Sequence, residues 1–244
     1  AGKVTINGVA PSTATTPLIG LCSRRKADEL IRAGKVTING VVAVLGATVN
    51  PADLVAVDGQ TVKPVKTDIY IALNKPRGII STTERQVKGN IIDFVNHPER
   101  IFPVGRLDKD SEGLILLTND GSCVNKILRN ENKHEKEYIV TVNKPIRPAF
   151  LKGMSAGVRI YNPVRKEYTL TNPSRVVQID DRTFRIFLTQ GLNRQIRRMC
   201  SHFGYQVVKL LRVRILNIEL KDLPSGQWRD LTEEELRTLF ELTG

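Results

Sequence analysis

"GRLDKDSEGLILLTND", residues Gly105–Asp120, sets a dense group of charges directly against an unbroken apolar run. Arg106, Asp108, Lys109, Asp110 and Glu112 come first, and Leu114–Leu117 follow. The apolar run is short for a helix and bounded by turn residues, so it reads as a buried strand behind a charged turn. A carboxylate beside an arginine in such a turn is ordinarily an exposed ion pair worth little. The alternative is that Asp108 is held ionised in a closed site with an arginine opposite. At an effective dielectric of about 20, opposite charges about 4 Å apart attract by roughly 4 kcal/mol. That is enough to keep a partly buried aspartate charged and nucleophilic at neutral pH.

The elements around this stretch set the fold class. "IYIALNKP" before it and "EYIVTV", "TFRIFLTQG" and "YQVVKLLRVRILNIEL" after it read as strands. "SCVNKILRN", "PAFLKGMSAG" and "LNRQIRRMCSHFG" read as helices, the last closed by Gly204. A final helix is announced by Thr232 and Glu235, a capping box, with Leu231 and Leu236 placed as a hydrophobic staple. Strands outnumber helices and do not alternate with them. This predicts an α+β fold on a mainly antiparallel mixed sheet.

The bulk numbers agree with a folded protein. The 244 residues suffice for one large or two smaller domains, and 41% apolar with 25% charged is a globular composition. No apolar run approaches the roughly 18–20 residues that span a bilayer. The opening "AGKVTINGVA" has no signal-peptide pattern, so the expectation is a cytoplasmic protein that meets no membrane. Cys22, Cys123 and Cys200 are widely spaced without a CxxC pair, which fits reduced core thiols rather than a disulfide or zinc framework. His97, His134 and His202 are scattered, so no metal site is expected. Lys and Arg total 37 against 25 acidic residues, a net charge of +12. That excess favours a polyanionic partner, usually nucleic acid. A nucleotide-hydrolysing reading fails, because "GQTVKP" lacks the GxxxxGK[ST] loop and no GxGxxG opens a helix.

Two basic modules stand out. In "QGLNRQIRRMCSHFG" the residues Leu192, Ile196, Met199, Cys200 and Phe203 define one helix face, while Arg194, Arg197 and Arg198 cluster on another. Such guanidiniums need anions opposite them, either protein carboxylates or phosphates, and a helix start at Asn193 would favour an anion too. "SRRKADELIRAGKVTINGV" offers Ser23 as N-cap, then Arg24, Arg25, Arg32 and Lys35 on a short helix and hairpin. The hairpin turns at Asn39-Gly40. This module is able to hold an RNA backbone. Tyr138, at a strand start, has a face to stack on a base and a hydroxyl to keep wet, or it is an ordinary amphipathic strand residue.

These residues also carry a resemblance. "GRLDKDSEGLILLTNDG" resembles the second motif of pseudouridine synthases, in the RsuA branch that modifies ribosomal RNA. "LNKPRG" (Leu73–Gly78) is similar to the first motif, "KEY" to the tyrosine motif and "QGLNRQIRRMC" to the arginine motif. "SRRKADELIRAGKVTING" is similar to the alpha-L RNA-binding domain, of the S4 kind, carried at the N-terminus of this branch. The matches run in the family's order. "GMSAGV" and "GQWRDLT" make the chain most similar to the F type among the synthases that modify 23S ribosomal RNA.

The resemblance implies a pseudouridine synthase fold and an isomerisation of a specific uridine in structured RNA, most of all 23S ribosomal RNA. The N1–C1′ bond breaks, the uracil turns, and C5 joins C1′, which by stoichiometry requires no cofactor. It implies that Asp108 is the catalytic aspartate, attacking C1′ or removing a proton from C2′, and that Tyr138 stacks on the target base. Arg197 would pair with Asp108, with Arg194 the second choice. Arg106 would fill the gap left by a flipped uridine, and Lys75, Arg194 and Arg198 would meet phosphates. The partner implied is RNA, ribosomal or transfer, with no obligate protein partner. A 16S or transfer RNA target, or a non-catalytic RNA-binding protein of ribosome assembly, are the alternatives.

The chain departs from the branch at its start. "AGKVTINGV" occurs at 1–9 and again at 33–41, and "PSTATTPLIG" stands where the branch has a basic helix. Thr and Pro without a helical period will not form that helix. The expected organisation is therefore 1–20 as a linker or non-native terminal segment, 21–64 as the RNA-binding domain and 68–244 as the catalytic domain.

Overall fold

The computed structural model describes residues 12–13, 18, 22, 24–50, 52–62, 68–128, 134–163 and 166–244. The first copy of the repeat and Ser23, the expected N-cap, lie outside the described residues. The chain divides into two compact units, one reaching to Asp68 and including Pro98–Arg100, the other formed by Ile69–His97 and Ile101–Gly244.

The first unit contains β1 (Ser12–Thr13), α1 (Arg24–Arg32), β2 (Val36–Ile38), β3 (Val41–Val42), β4 (Thr48–Val49), β5 (Val55–Val57) and β6 (Gln60–Thr61). Strands β3-β2-β5-β6 form an antiparallel sheet, and β1 pairs with β4. Ala27 and Ile31, one helical turn apart on α1, are buried with Val36, Val49, Val55 and Val62. The β2–β3 turn has positive φ at both Asn39 (51°) and Gly40 (82°), the hairpin geometry that an Asn-Gly pair favours.

The second unit begins with β7 (Tyr70–Lys75), α2 (Ile91–Val95), β8 (Phe102–Pro103), β9 (Glu112–Thr118) and α3 (Gly121–Leu128). It continues with β10 (Lys136–Val142), α4 (Pro148–Ala156), β11 (Arg159–Asn162), β12 (Glu167–Leu170), β13 (Arg175–Gln178) and β14 (Thr183–Leu188). The last elements are α5 (Gln195–His202), β15 (Val207–Ile215), β16 (Ile218–Glu219), β17 (Trp228–Asp230) and α6 (Glu233–Thr243). One nine-stranded sheet runs β13-β14-β10-β15-β9-β7-β17, with β16 on β15 and β8 on β9. Its pairings are antiparallel except β15 with β9, so the fold is α+β on a mainly antiparallel mixed sheet.

The apolar run of β9 is explained by burial on both faces. Leu114 and Leu116 join one core cluster, while Ile115 and Leu117 join the other. At the C-terminus the capping box of Thr232 and Glu235 forms as the sequence predicts, and Leu231 and Leu236 pack in the same core. The stretch read as a single strand, Tyr205–Leu220, is instead two. It turns at Leu216 (φ 54°), whose N–H donates to Glu135 O at 3.0 Å, and β16 folds back on β15. Among the described residues no helix is long and apolar enough to cross a membrane.

Candidate active site

The turn that carries Asp108 is tied down at nearly every residue. Ser81 Oγ donates to Leu107 O (2.8 Å) and accepts from Leu107 N (3.2 Å). Gly78 N donates to Lys109 O, and Ser111 N closes the turn on Asp108 O at 3.0 Å. Arg197 reaches in from α5 and donates to Asp110 O (3.0 Å) and Ser111 Oγ (3.3 Å). Behind the turn, Gly113 pairs with Arg212 across the parallel junction of β9 and β15. A Cβ on Gly113 would sit 2.3 Å from Arg212 O, so only glycine admits this approach, and its φ of 102° demands glycine as well. The carboxylate is thus mounted beside the centre of the sheet by a short loop held through Leu107, Asp108 O, Lys109 O, Asp110 O and Ser111.

The charges around it are shared in an unexpected order. Arg194 Nη1 lies 3.9 Å from Asp108 Oδ2, while Arg194 Nη2 donates to Asp110 Oδ2 at 2.9 Å. The hydrogen bond from Arg194 holds the Asp110 carboxyl below its usual range and pushes the Arg194 guanidinium up. Arg194 itself occupies the left-handed region at φ 49°, ψ 36°, as the residue capping α5. A non-glycine residue there costs roughly 1–2 kcal/mol, and the conformation aims the Arg194 guanidinium at both carboxylates. Arg197, expected opposite Asp108, is directed elsewhere. It is buried enough that desolvation lowers its pKa; Nη1 and Nη2 donate to the loop backbone, Ser111 and Val207 O, while Nε is buried without a hydrogen-bond partner. Its distance to the Asp110 carboxylate is 4.0 Å. Helix geometry explains the exchange: Arg194 sits at the open end of α5, whereas Arg197 is one turn inward, against β15.

Asp108 and Tyr138 line the same cavity, of about 270 Å³, with Leu107, Leu188 and Leu210 supplying apolar wall. Tyr138, on β10, is buried, with the Arg212 guanidinium 6.0 Å from its ring centroid. Much of the remaining wall is the loop Gln190–Arg194 and the start of α5, Gln195 and Ile196. Buried Gln195 braces it, accepting from Leu192 N (3.1 Å) and donating to Gln190 Oε1 (3.1 Å). Arg106 is exposed on the cavity wall. Cys200, on the inner face of α5, is no rival nucleophile, because burial pushes its thiol up to about 12.

Two expected phosphate contacts are not presented for that role. Lys75 is completely buried, and its Nζ donates to Pro76 O and Ile79 O, both at 2.9 Å. The residue ends β7 inside the sheet, so its stem has no route to solvent. Arg198 is half-buried and bonded to Tyr161 O and to Asn193 Oδ1 (2.8 Å). In the first unit Arg25, Arg32 and Lys35 are exposed, with Lys35 Nζ 3.3 Å from Asp58. Arg24 opens α1, and its side chain lies outside the described residues.

Arg212 is the residue that motif reading passed over. It is 4% exposed, donates from Nε to Leu114 O at 2.6 Å, and keeps Nη2 buried without a hydrogen-bond partner. It therefore joins the base of the Asp108 loop to Tyr138. Its only sequence signal is a charge inside the apolar strand "VVKLLRVRI". Among the described residues no group of three or more His, Cys, Asp or Glu is placed to hold a metal ion.

Comparison with known proteins gives this arrangement its context. The model of the RNA pseudouridylate synthase family matches residues 69–202, and that of the S4 domain matches residues 19–55. The chain is 56% identical over 225 residues to the dual-specificity RNA pseudouridine synthase RluF of Escherichia coli (strain K12), covering 91% of this chain and 76% of that one. It is 35% identical over 227 residues to the ribosomal large subunit pseudouridine synthase B of Bacillus subtilis (strain 168), covering 90% and 91% respectively. A crystal structure of a pseudouridylate synthase superposes with a TM-score of 0.68 at 27% identity, over 93% of this chain and 99% of the other. The cavity that holds Asp108 and Tyr138 is built wholly from the unit that the synthase model matches in large part, and the chain belongs to the RNA pseudouridylate synthase family, whose reaction is the isomerisation of uridine in RNA.

Proposed function

We propose that the chain isomerises a uridine of 23S ribosomal RNA in the cytoplasm, with Asp108 acting on the ribose. The observation that carries this reading is the placement of Asp108 and Tyr138 on the wall of one cavity. A uridine inside a helix cannot reach such a cavity, so it must leave its stack. Arg106, exposed beside the nucleophile, occupies the space that the uridine vacates. Tyr138 offers a ring face to the uracil as it detaches and turns. Asp108 then attacks C1′, or removes the C2′ proton, while the N1–C1′ bond breaks. The uracil rotates within the cavity, and C5 bonds to C1′ as the Asp108–C1′ ester bond breaks, or as the C2′ proton is returned to the glycal; the C5 proton leaves to solvent and N1 takes one up. Arg194 sets the position of Asp108, and Arg197 sets the loop that carries it, which makes Arg197 a positioning residue. The 23S target is supported by the ribosomal large subunit synthase at 35% identity along most of both chains. Cys22, Cys123 and Cys200, none of them in a disulfide, fit a reducing compartment.

Release of tritium from RNA labelled at uridine C5 tests the reading. The intact chain should release tritium from 23S RNA, and Asp108→Ala should release none while binding RNA as before. Tight binding with no release from the intact chain would favour an assembly protein instead. The relative at 56% identity is named dual-specificity, so transfer RNA is assayed beside 23S and 16S RNA.

A further inference from the structure

The hairpin of β11 and β12 carries an exposed surface that the reaction does not explain. Its strands pair Tyr161 with Tyr168 and Arg159 with Leu170. Ile160 turns inward, 4% exposed, and joins the core. By strand alternation the other face carries Arg159, Tyr161, Tyr168 and Leu170. The last three are 45%, 62% and 66% exposed, an aromatic and aliphatic surface left open to water on a hairpin that is otherwise well anchored. The tyrosine rings lie 5.3 Å apart, and the Arg159 guanidinium sits 4.7 Å from the Tyr168 ring centroid. Glu167 alternates to the opposite face, so the tyrosine face presents a cation and no carboxylate of its own hairpin.

The same hairpin is fastened to the cavity. Arg198 of α5 donates both to Tyr161 O and to Asn193 Oδ1, and Asn193 lines the cavity that holds Asp108. At its base Val158 N donates to Thr171 Oγ1 (2.9 Å) and Thr171 N donates to Val158 O (3.0 Å). A chain entering the cavity over Asn193 therefore meets the hairpin within the reach of one arginine side chain.

We propose that the outward face of β11–β12 is a stacking platform for unpaired nucleotides flanking the target uridine. Exposed aromatic rings beside a guanidinium accept any base on its π-face, while the cation answers the phosphates. The net charge of +12 favours a polyanion over a basic or neutral protein surface as the occupant, and the aromatic rings beside a guanidinium suit the bases of RNA. The proposal rests on the assignment of the Asp108 cavity as the reaction site.

The test uses the full chain with a 23S RNA transcript, measuring the dissociation constant directly and KM and kcat by tritium release. Tyr161→Ser with Tyr168→Ser should weaken binding and raise KM about 5- to 30-fold, the size of losing a base stack. Tyr161→Phe with Tyr168→Phe should restore both, because stacking needs the ring and not the hydroxyl. Tyr168→Ser alone, at the more exposed position, should show a smaller loss in the same direction. Binding within twofold of the parent for the double serine variant overturns the proposal, as does an equal loss with phenylalanine. Unchanged affinity for the transcript with weakened affinity for intact ribosomal subunits also overturns it, and assigns the surface to a protein. If the parent releases no tritium but the serine variant still loses RNA affinity, the platform stands and the reaction-site assignment falls.

Discussion

Lys75 holds a charge where burial disfavours one, and its titration is readable. Burial, and then the neighbouring Arg212, bring its pKa from the ordinary 10.5 to about 8. The folded state therefore releases this proton more readily than the unfolded chain does. The penalty for burying the charge is fully present below about pH 8 and is relieved as pH rises toward 10.5. Between pH 7 and pH 9.5 the wild type should gain on the order of 1–2 kcal/mol relative to Lys75→Met, because the slope approaches 1.36 kcal/mol per pH unit only above about pH 8. Urea unfolding of both proteins at the two pH values measures it, and a constant difference would mean that Lys75 keeps its proton throughout. Arg197 gives a second residue-scale prediction. Its fork serves Asp110 O, Ser111 Oγ and Val207 O together, and a single ammonium cannot span the three. Arg197→Lys should lower stability by about 1–3 kcal/mol and reduce kcat more than it raises KM, since it loosens the loop that carries Asp108 without touching the RNA. A rise in KM alone would move Arg197 from positioning to binding.

The junction of β9 and β15 is the element on which the loop depends. It is the one parallel pairing of strands in the main sheet among the described residues, and it brings Gly113 against the Arg212 backbone. Gly113→Ala must either push the strands apart or distort a backbone already at φ 102°, and should destabilise by on the order of 3 kcal/mol. Its activity should fall further than its folded fraction at the assay temperature, because β15 carries Arg212 and the turn leading into β9 carries Asp108. Activity that merely tracks the folded fraction would show that the loop tolerates a moved junction. What the sequence revealed about these elements follows the strength of local signals. β9 was legible because burial on both faces leaves an unbroken apolar run, and α6 because Thr232 and Glu235 are mutually required by cap geometry. Three features were not. α2 is a single short turn whose start rests on Asn90 accepting from Asp93 N, a signal shared with many loops. The β11–β12 hairpin buries Ile160 but turns Tyr161, Tyr168 and Leu170 outward, so its short strands show no clean apolar face in the sequence. The exchange of Arg194 and Arg197 as neighbours of Asp108 depends on a left-handed arginine at the helix start. Spacing alone carries no trace of that conformation.

At the scale of the whole molecule, charge governs how RNA is held. A protein at +12 binds RNA partly by displacing condensed counterions, so its affinity must fall with salt. The slope of log affinity against log salt counts phosphate contacts at about 0.7–0.9 each. Exposed charge does not translate into contacts one for one, because cations already paired to carboxylates release fewer ions. In the unit matched by the S4 domain, Arg25 and Arg32 are exposed on α1, whereas Lys35 lies 3.3 Å from Asp58. Arg25→Gln with Arg32→Gln should therefore reduce the slope by about 1.4–1.8, and Lys35→Gln should reduce it by less than one contact's share. Asp108 and its cavity belong entirely to the other unit, so the double variant should lose apparent affinity chiefly through KM. Binding isotherms over a salt series from about 50 to 200 mM decide the matter. Parallel slopes for the parent and the double variant would remove α1 from the RNA contact and leave the charge of the catalytic unit to supply it. A full contact's loss on Lys35→Gln would mean that RNA displaces Asp58 from its lysine on binding.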